Sequence, residues 1–165
     1  MQSAVHTAMN SKELNLPTFG ARLRKEAGRM MIFDILRKKY VALTPEEHVR
    51  QHFVHYLCGE MGYPQTIMAN EVMLAVGQKR LRCDTVVYDN TARPRMIVEY
   101  KAPSVHVTQD VFNQISVYNL LLRVDYLIVS NGLTHYCCKM DYANQKYLFL
   151  EHIPDYKTFL QTIKE

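Results

Sequence analysis

The chain has one segment whose helical period and start signal agree. Thr44-Pro45-Glu46-Glu47 offers an N-cap hydroxyl, a proline at the first helical position and, three residues after the cap, a glutamate able to close a capping box. Val49, Phe53, Tyr56 and Leu57 then recur at helical spacing, which predicts an amphipathic helix to about Met61. With residues advancing by about 100° around the helix axis, Glu46 falls within this apolar stripe and Glu47 well outside it. Glu46 is therefore the glutamate expected to face the core, where a carboxylate needs a reason to be.

After Gly62 and Pro64 the period becomes extended. Strands are expected at Asn70–Val76, after a Gly77-Gln78 turn at Lys79–Tyr88, and after a polar turn Asp89-Asn90-Thr91 at Arg95–Lys101. Thr108-Gln109-Asp110 opens a second helix with Val111, Ile115, Tyr118 and Leu122 on one side, followed by an apolar strand Asp125–Ser130 and an Asn131-Gly132 turn. Strands near 134–140 and 145–150 and a short helix near 155–163 complete the pattern. Upstream, Met30–Leu36 reads as one strand between the basic runs Arg22, Arg24, Lys25 and Arg37-Lys38-Lys39, which read first as solvated surface, with a phosphate-contacting rim as the rival. Residues 1–15 read as a polar tail and residues 16–165 as a single domain. The expected class is α/β (α+β), with an α-β-β-β-α-β order, a mixed central sheet flanked by helices, and extra strands at both ends.

Composition narrows this modestly. The 165 residues are 48% hydrophobic and 22% charged, enough for one core without disulfides or a structural metal. The four cysteines show no C-x-x-C spacing and read as reduced thiols. No signal peptide or run of 18 apolar residues is present, so a cytoplasmic protein without membrane contact is expected. The formal charge of +4 suits a polyanionic partner, while a pI near 8.8 stays below the ~9 of a dedicated nucleic-acid binder.

Candidate chemistry lies in the second and third strands of the meander. Glu99 and Lys101 are two apart and share a face, and if these strands are neighbours Asp84 comes beside them, just before Ala102-Pro103 ends the strand. Two carboxylates and an ammonium suit divalent-metal-assisted phosphodiester hydrolysis: Asp84 and Glu99 would hold Mg²⁺, with Mn²⁺ as an alternative, and Lys101 would tend the attacking water. Taken alone, E-x-K is as readily a surface ion pair. Gln114 and Tyr118 lie on neighbouring turns of one side of the second helix.

Four blocks in order, Leu43-Thr44-Pro45-Glu46-Glu47-His48-Val49-Arg50-Gln51, Arg82-Cys83-Asp84-Thr85-Val86-Val87-Tyr88, Val98-Glu99-Tyr100-Lys101-Ala102-Pro103 and Gln114-Ile115-Ser116-Val117-Tyr118-Asn119, resemble the PD-(D/E)xK nuclease superfamily. Within it they resemble the N-terminal nuclease domain of type I restriction enzyme R subunits, over roughly residues 30–150. The resemblance implies a restriction-endonuclease-like core, metal-binding Asp84 and Glu99, catalytic Lys101, and a helix glutamate on the metal at Glu46 or Glu47, with Glu46 favoured because Glu47 caps. It also implies a Q-x-x-x-Y motif at Gln114 and Tyr118 that assists the site or the DNA backbone. Cys83 replaces the proline of the motif's name. No G-x-x-x-x-G-K-[ST] loop accompanies the blocks, so the expectation is a nuclease without a translocase, alone or with separate restriction-modification subunits. Cutting both strands suggests a homodimer.

Remaining signals stay open or bland. Arg50 lies near the Glu46 face and serves either an ion pair or a DNA phosphate; Arg82 is a further DNA-contact candidate. His48, His52 and His55 read as solvated helix positions, because no H-E-x-x-H accompanies them. The rival function is a non-catalytic module that binds nucleic acid or a partner protein on the same fold.

Overall fold

A computed structural model describes residues 13–164, with the backbone alone given for residues 117–121. The elements are β1 (Leu23–Glu26), β2 (Arg29–Asp34), β3 (Lys39–Ala42), α1 (Pro45–Gly59), β4 (Met68–Val76), β5 (Lys79–Tyr88), β6 (Pro94–Tyr100), α2 (Gln109–Leu122), β7 (Tyr126–Ser130), β8 (His135–Asp141), β9 (Lys146–Leu150) and α3 (Tyr156–Thr162). The expected start of α1 is realised: Thr44 accepts a hydrogen bond from the Glu47 amide at 3.1 Å and Pro45 opens the helix. Such a cap contributes about 1 kcal/mol.

β4 to β9 form one six-stranded sheet in sequence order. Each neighbouring pair is antiparallel except β6 and β7, which run parallel because α2 crosses over between them. α1 covers one face, packing Val49, Phe53 and Leu57 against Met68, Val87, Met96, Val98, Tyr100 and Ile128, with Phe159 of α3 joining them. α2 covers the other face, where Phe112 and Ile115 meet Cys83, Val86, Ile97, Leu127 and Val129. β7 is consequently buried along its whole length, as its unbroken apolar run demands. The expected mixed sheet flanked by helices, with strands added at both ends, is the observed architecture.

The upstream region carries more structure than one strand. β1, β2 and β3 form a separate antiparallel sheet, and its first hairpin turns through Ala27 and Gly28, both at positive φ (47° and 78°), as a two-residue turn joining right-twisted strands requires. Its short outer strands, Leu-Arg-Lys-Glu and Lys-Tyr-Val-Ala, were hidden by their charges, which suit solvent-edge strands.

Leu14 and Asn15, within the expected tail, are held in place. The Asn15 amide donates to the Gly132 carbonyl at 2.7 Å, and Gly132 (φ 82°) sits so close to Leu14 that a Cβ there would approach its side chain to 2.7 Å. Phe19 then stacks on His55 at 3.8 Å and meets His52 edge-on at 4.8 Å. His48, His52 and His55 are thus half-buried rather than solvated: the N-terminal segment covers the outer flank of α1.

Candidate active site

The site begins where two strands part. β5 and β6 are paired only as far as Thr85 and Val98. Beyond that rung β5 stays with β4, from Cys83 opposite Val72 to Lys79 opposite Val76, while β6 stays with β7 as far as Tyr100 opposite Ser130. Asp84 and Glu99 occupy the next position on each arm of this fork. In place of a ladder bond, Asp84 Oδ2 accepts the Tyr100 amide at 2.9 Å, and the Lys101 amide donates to Ser130 O at 2.9 Å. The expected neighbouring of Asp84, Glu99 and Lys101 is therefore what the register produces.

A second distortion aims Asp84. Residues two apart in a strand ordinarily share a face, yet Asn70 and Thr85 bond to Asp34 and Tyr100 on the α1 side, while Val72 and Cys83 pack on the α2 side. The reversal occurs where the β4–β5 ladder skips from Asn70–Thr85 to Val72–Cys83: Glu71, which adopts φ 56°, and Asp84 occupy that gap. Both carboxylates thereby reach Arg50 of α1, whose Nη2 lies 2.6 Å from Glu71 Oε1 and 3.4 Å from Asp84 Oδ1, with Nη1 3.5 Å from Glu47 Oε2. Arg50 is only 4% exposed. Of its two expected roles the structure displays the ion pair.

The expectation that Glu46 faces inward is corrected. Glu46 is exposed and Glu47 is buried, accepting from Arg37 at 2.7 Å and from Gln51 at 2.8 Å. The stripe drawn through Val49, Phe53 and Leu57 was too narrow. Arg50, Gln51 and Val54 are buried too, because the β2–β3 loop brings Arg37 onto a second flank of α1 where Glu47 lies. Thr44 caps by accepting from the Glu47 amide, but the expected capping box is corrected: the Thr44 amide donates to Ala42 O at 3.0 Å, and the Glu47 side chain is turned to Arg37 and Gln51 instead.

A connected polar line joins this flank to the fork. Asp34 accepts from the Leu36 and Arg37 amides at 2.7 and 3.0 Å, from the Arg37 guanidinium, and from Asn70 Nδ2 at 2.9 Å. Thr85 Oγ1 donates to Asn70 Oδ1 at 2.6 Å and lies 2.9 Å from the Tyr100 hydroxyl. Sequence reading missed Asp34, Arg37, Asn70 and Glu71, and it ranked Glu47 behind Glu46. One available signal was the adjacent polar pair Asn70-Glu71 inside an apolar strand, since adjacent residues face opposite sides and both sides here are covered.

The carboxylates differ in how they are compensated. Burial opposes ionisation of Glu71, but Arg50 and Arg82 outweigh it and hold the acid below its usual range. Glu99 is pushed up to about 9, first by burial and then by the charge of Asp84, with which it is in contact; Lys101 acts in the opposite sense but more weakly. Glu99 Oε1 is buried with no hydrogen-bond partner among the described residues. Cys83, behind the fork, is pushed up to about 12 by burial and by Glu99 and Asp84, so it is no nucleophile. Arg82 is largely exposed and binds Glu71. Gln114 is exposed on α2, and no hydrogen bond joins it to the carboxylates among the described residues; the Tyr118 side chain lies outside those residues.

These features fit a divalent cation. An orphaned carboxylate oxygen beside a second carboxylate is a site whose charge is uncompensated. Among the described residues no three His, Cys, Asp or Glu side chains gather closely enough to hold an ion by themselves, so the pair would leave coordination positions to water and substrate oxygens, as Mg²⁺ prefers.

Comparison with known proteins agrees with this architecture. The fold is similar to that of a fragment described as an HsdR subunit of a type I restriction enzyme from Vibrio vulnificus YJ016, with a TM-score of 0.52 at 17% identity, covering 73% of this chain and 25% of that one. The chain thus spans about a quarter of the length of that neighbour. No curated protein matches the sequence. Residues 45–154, from the first residue of α1 to just before α3, match the family described as the type I restriction enzyme R protein N terminus, and the chain belongs to that family.

Proposed function

We propose that this domain is a divalent-metal-dependent endodeoxyribonuclease in which Asp84 and Glu99 hold Mg²⁺ or Mn²⁺ and Lys101 serves the attacking water. The observation that carries the reading is Glu99 Oε1, buried and partnerless against Asp84 at the fork of β5 and β6. The chemistry such a cation supplies is neutralisation of phosphoryl charge and activation of water. The chain's own residues provide the rest. Asp84 is fixed at both ends, Oδ2 by the Tyr100 amide and Oδ1 near Arg50, so its position is set before substrate arrives. Lys101 continues from the end of β6, anchored through its amide to Ser130, and its ammonium can orient water and stabilise its deprotonated form. Glu47 enters by orienting Arg50 rather than by contacting the ion.

Family membership supports DNA as substrate and a restriction-modification assembly as the setting, with cleavage of both strands using two copies of the site. The test is cleavage of plasmid DNA in Mg²⁺ and in Mn²⁺ by wild type, Asp84→Asn and Lys101→Ala, with fold checked by thermal melting. Loss of cleavage in both variants with DNA binding kept is the expected result. Equal behaviour of all three proteins in every assay overturns it and favours a binding module on the same fold.

A further inference from the structure

The three-stranded sheet β1–β3 lies outside the family-matched residues 45–154, and it concentrates the charge of the chain. Residues 22–42 hold seven Arg and Lys against two acids, Glu26 and Asp34, a net of +5 where the whole chain carries +4; the remainder is therefore −1. Arg37 is spent internally on Asp34 and Glu47. The other six cations, Arg22, Arg24, Lys25, Arg29, Lys38 and Lys39, are all exposed.

Register sorts the two faces of this sheet. Leu23, Ile32 and Val41 align on the inner face, with Asp34 buried there. The outer face carries Arg24, Met31, Phe33 and Tyr40, with Arg22 just before the strand. On it the Arg22 guanidinium lies 3.6 Å from the Phe33 ring centroid and that of Arg24 4.0 Å from the Tyr40 ring, and the two rings meet edge-on at 5.3 Å. Two cations are thus placed over aromatic rings, held there before any anion arrives, which lowers the ordering cost of binding. Among the described residues the only acid paired with this face is Glu26, on Arg24 at 2.7 Å.

We infer that the outer face of β1–β3 is a binding surface for the phosphate backbone of duplex DNA, with Arg22 and Arg24 as its principal contacts. The inference rests on the nuclease reading above in taking DNA as the ligand. The charge is complementary to a polyanion, and the polar line Arg37–Asp34–Asn70–Thr85–Tyr100 ties the sheet rigidly to the fork. Duplex backbone held there would therefore be held in fixed relation to Asp84 and Glu99. Phosphate contacts position without reading sequence, so this surface serves register and affinity rather than target choice.

The test is the salt dependence of affinity for a random-sequence duplex, measured by fluorescence anisotropy in EDTA so that no cleavage occurs. For R22Q/R24Q the slope of log K against log salt should fall by about 1.8, and affinity at moderate salt should drop roughly ten-fold. R22K/R24K, which keeps the charges, should retain the slope. R29Q, which lies on the outer face and leaves Arg22 and Arg24 in place, should lower it by about 0.9 and stands in should R22Q/R24Q fail to melt like wild type. An unchanged slope in the folded glutamine variants, or no duplex binding by wild type, overturns the inference. Plasmid cleavage separates the two readings: cutting by wild type with no slope change removes this surface and leaves the nuclease, whereas a lowered slope with no cutting in any metal removes the nuclease and leaves the surface.

Discussion

Asp34 at the end of β2 is buried, Glu99 near the end of β6 is half-buried with its Oε1 enclosed, and their environments drive the two carboxylates in opposite directions. Asp34 is fully buried, yet its hydrogen bonds from Asn70 and Arg37 and the charge of Arg37 overcome burial and hold its acid below the usual range. Glu99 meets burial and then Asp84, and is pushed up to about 9. Burial is common to both; compensation is not. A fold that supplies an arginine, an asparagine and two amides to one carboxylate while leaving an oxygen of another without a partner has a completed structural joint at the first and an incomplete site at the second.

The largest effect should come from breaking the completed joint. Asp34→Ala leaves Arg37 and Asn70 without their acceptor and should destabilise the fold by about 3–5 kcal/mol, read from denaturant melts. Asp34 also gives the joint an acid limit: with its folded pKa lowered, its contribution is present at neutral pH and disappears as pH falls through that lowered value. Glu99→Gln should do the reverse, leaving the fold standing while cutting DNA at least about a hundred-fold more slowly under saturating Mg²⁺. Severing the line between the two regions is milder: Thr85→Val keeps the shape but leaves Asn70 Oδ1 without its donor, for about 1–2 kcal/mol. Smallest is a pH signature without metal. Because the folded pKa of Glu99 lies near 9 and its ordinary value near 4.5, the native state keeps a proton that the unfolded chain has released between those limits, so Glu99 lowers stability progressively as pH rises across that window. Glu99→Gln should gain on wild type in thermal melts from pH 5 to pH 9; a constant difference would show that Glu99 is already compensated.

The sequence made one half of this contrast legible. The cap at Thr44, the alternation along β4 to β6 and the two turns between them brought Asp84 opposite Glu99 and Lys101, because period and turn chemistry are local properties. The completed joint was not legible, because it depends on where β1–β3 docks. The short charged strands gave no extended pattern, so Arg37 had no predicted place and Glu47 no predicted partner. Glu71 was hidden for a different reason: alternation assumes an unbroken pleat, and one left-handed residue reverses the faces on either side of it. Drawing the helix stripe from apolar residues alone, while the buried flank of α1 contains Glu47, Arg50 and Gln51, produced the error at Glu46.

The most direct test of the central claim is Mn²⁺ binding to the DNA-free protein at neutral pH, counted by electron paramagnetic resonance. Binding by wild type and by Lys101→Ala, with affinity at least about ten-fold weaker in both Asp84→Asn and Glu99→Gln, is the predicted result. Wild-type binding left unchanged by Glu99→Gln, or no Mn²⁺ bound by folded wild type, would contradict the assignment of Asp84 and Glu99 as the site that a cation completes.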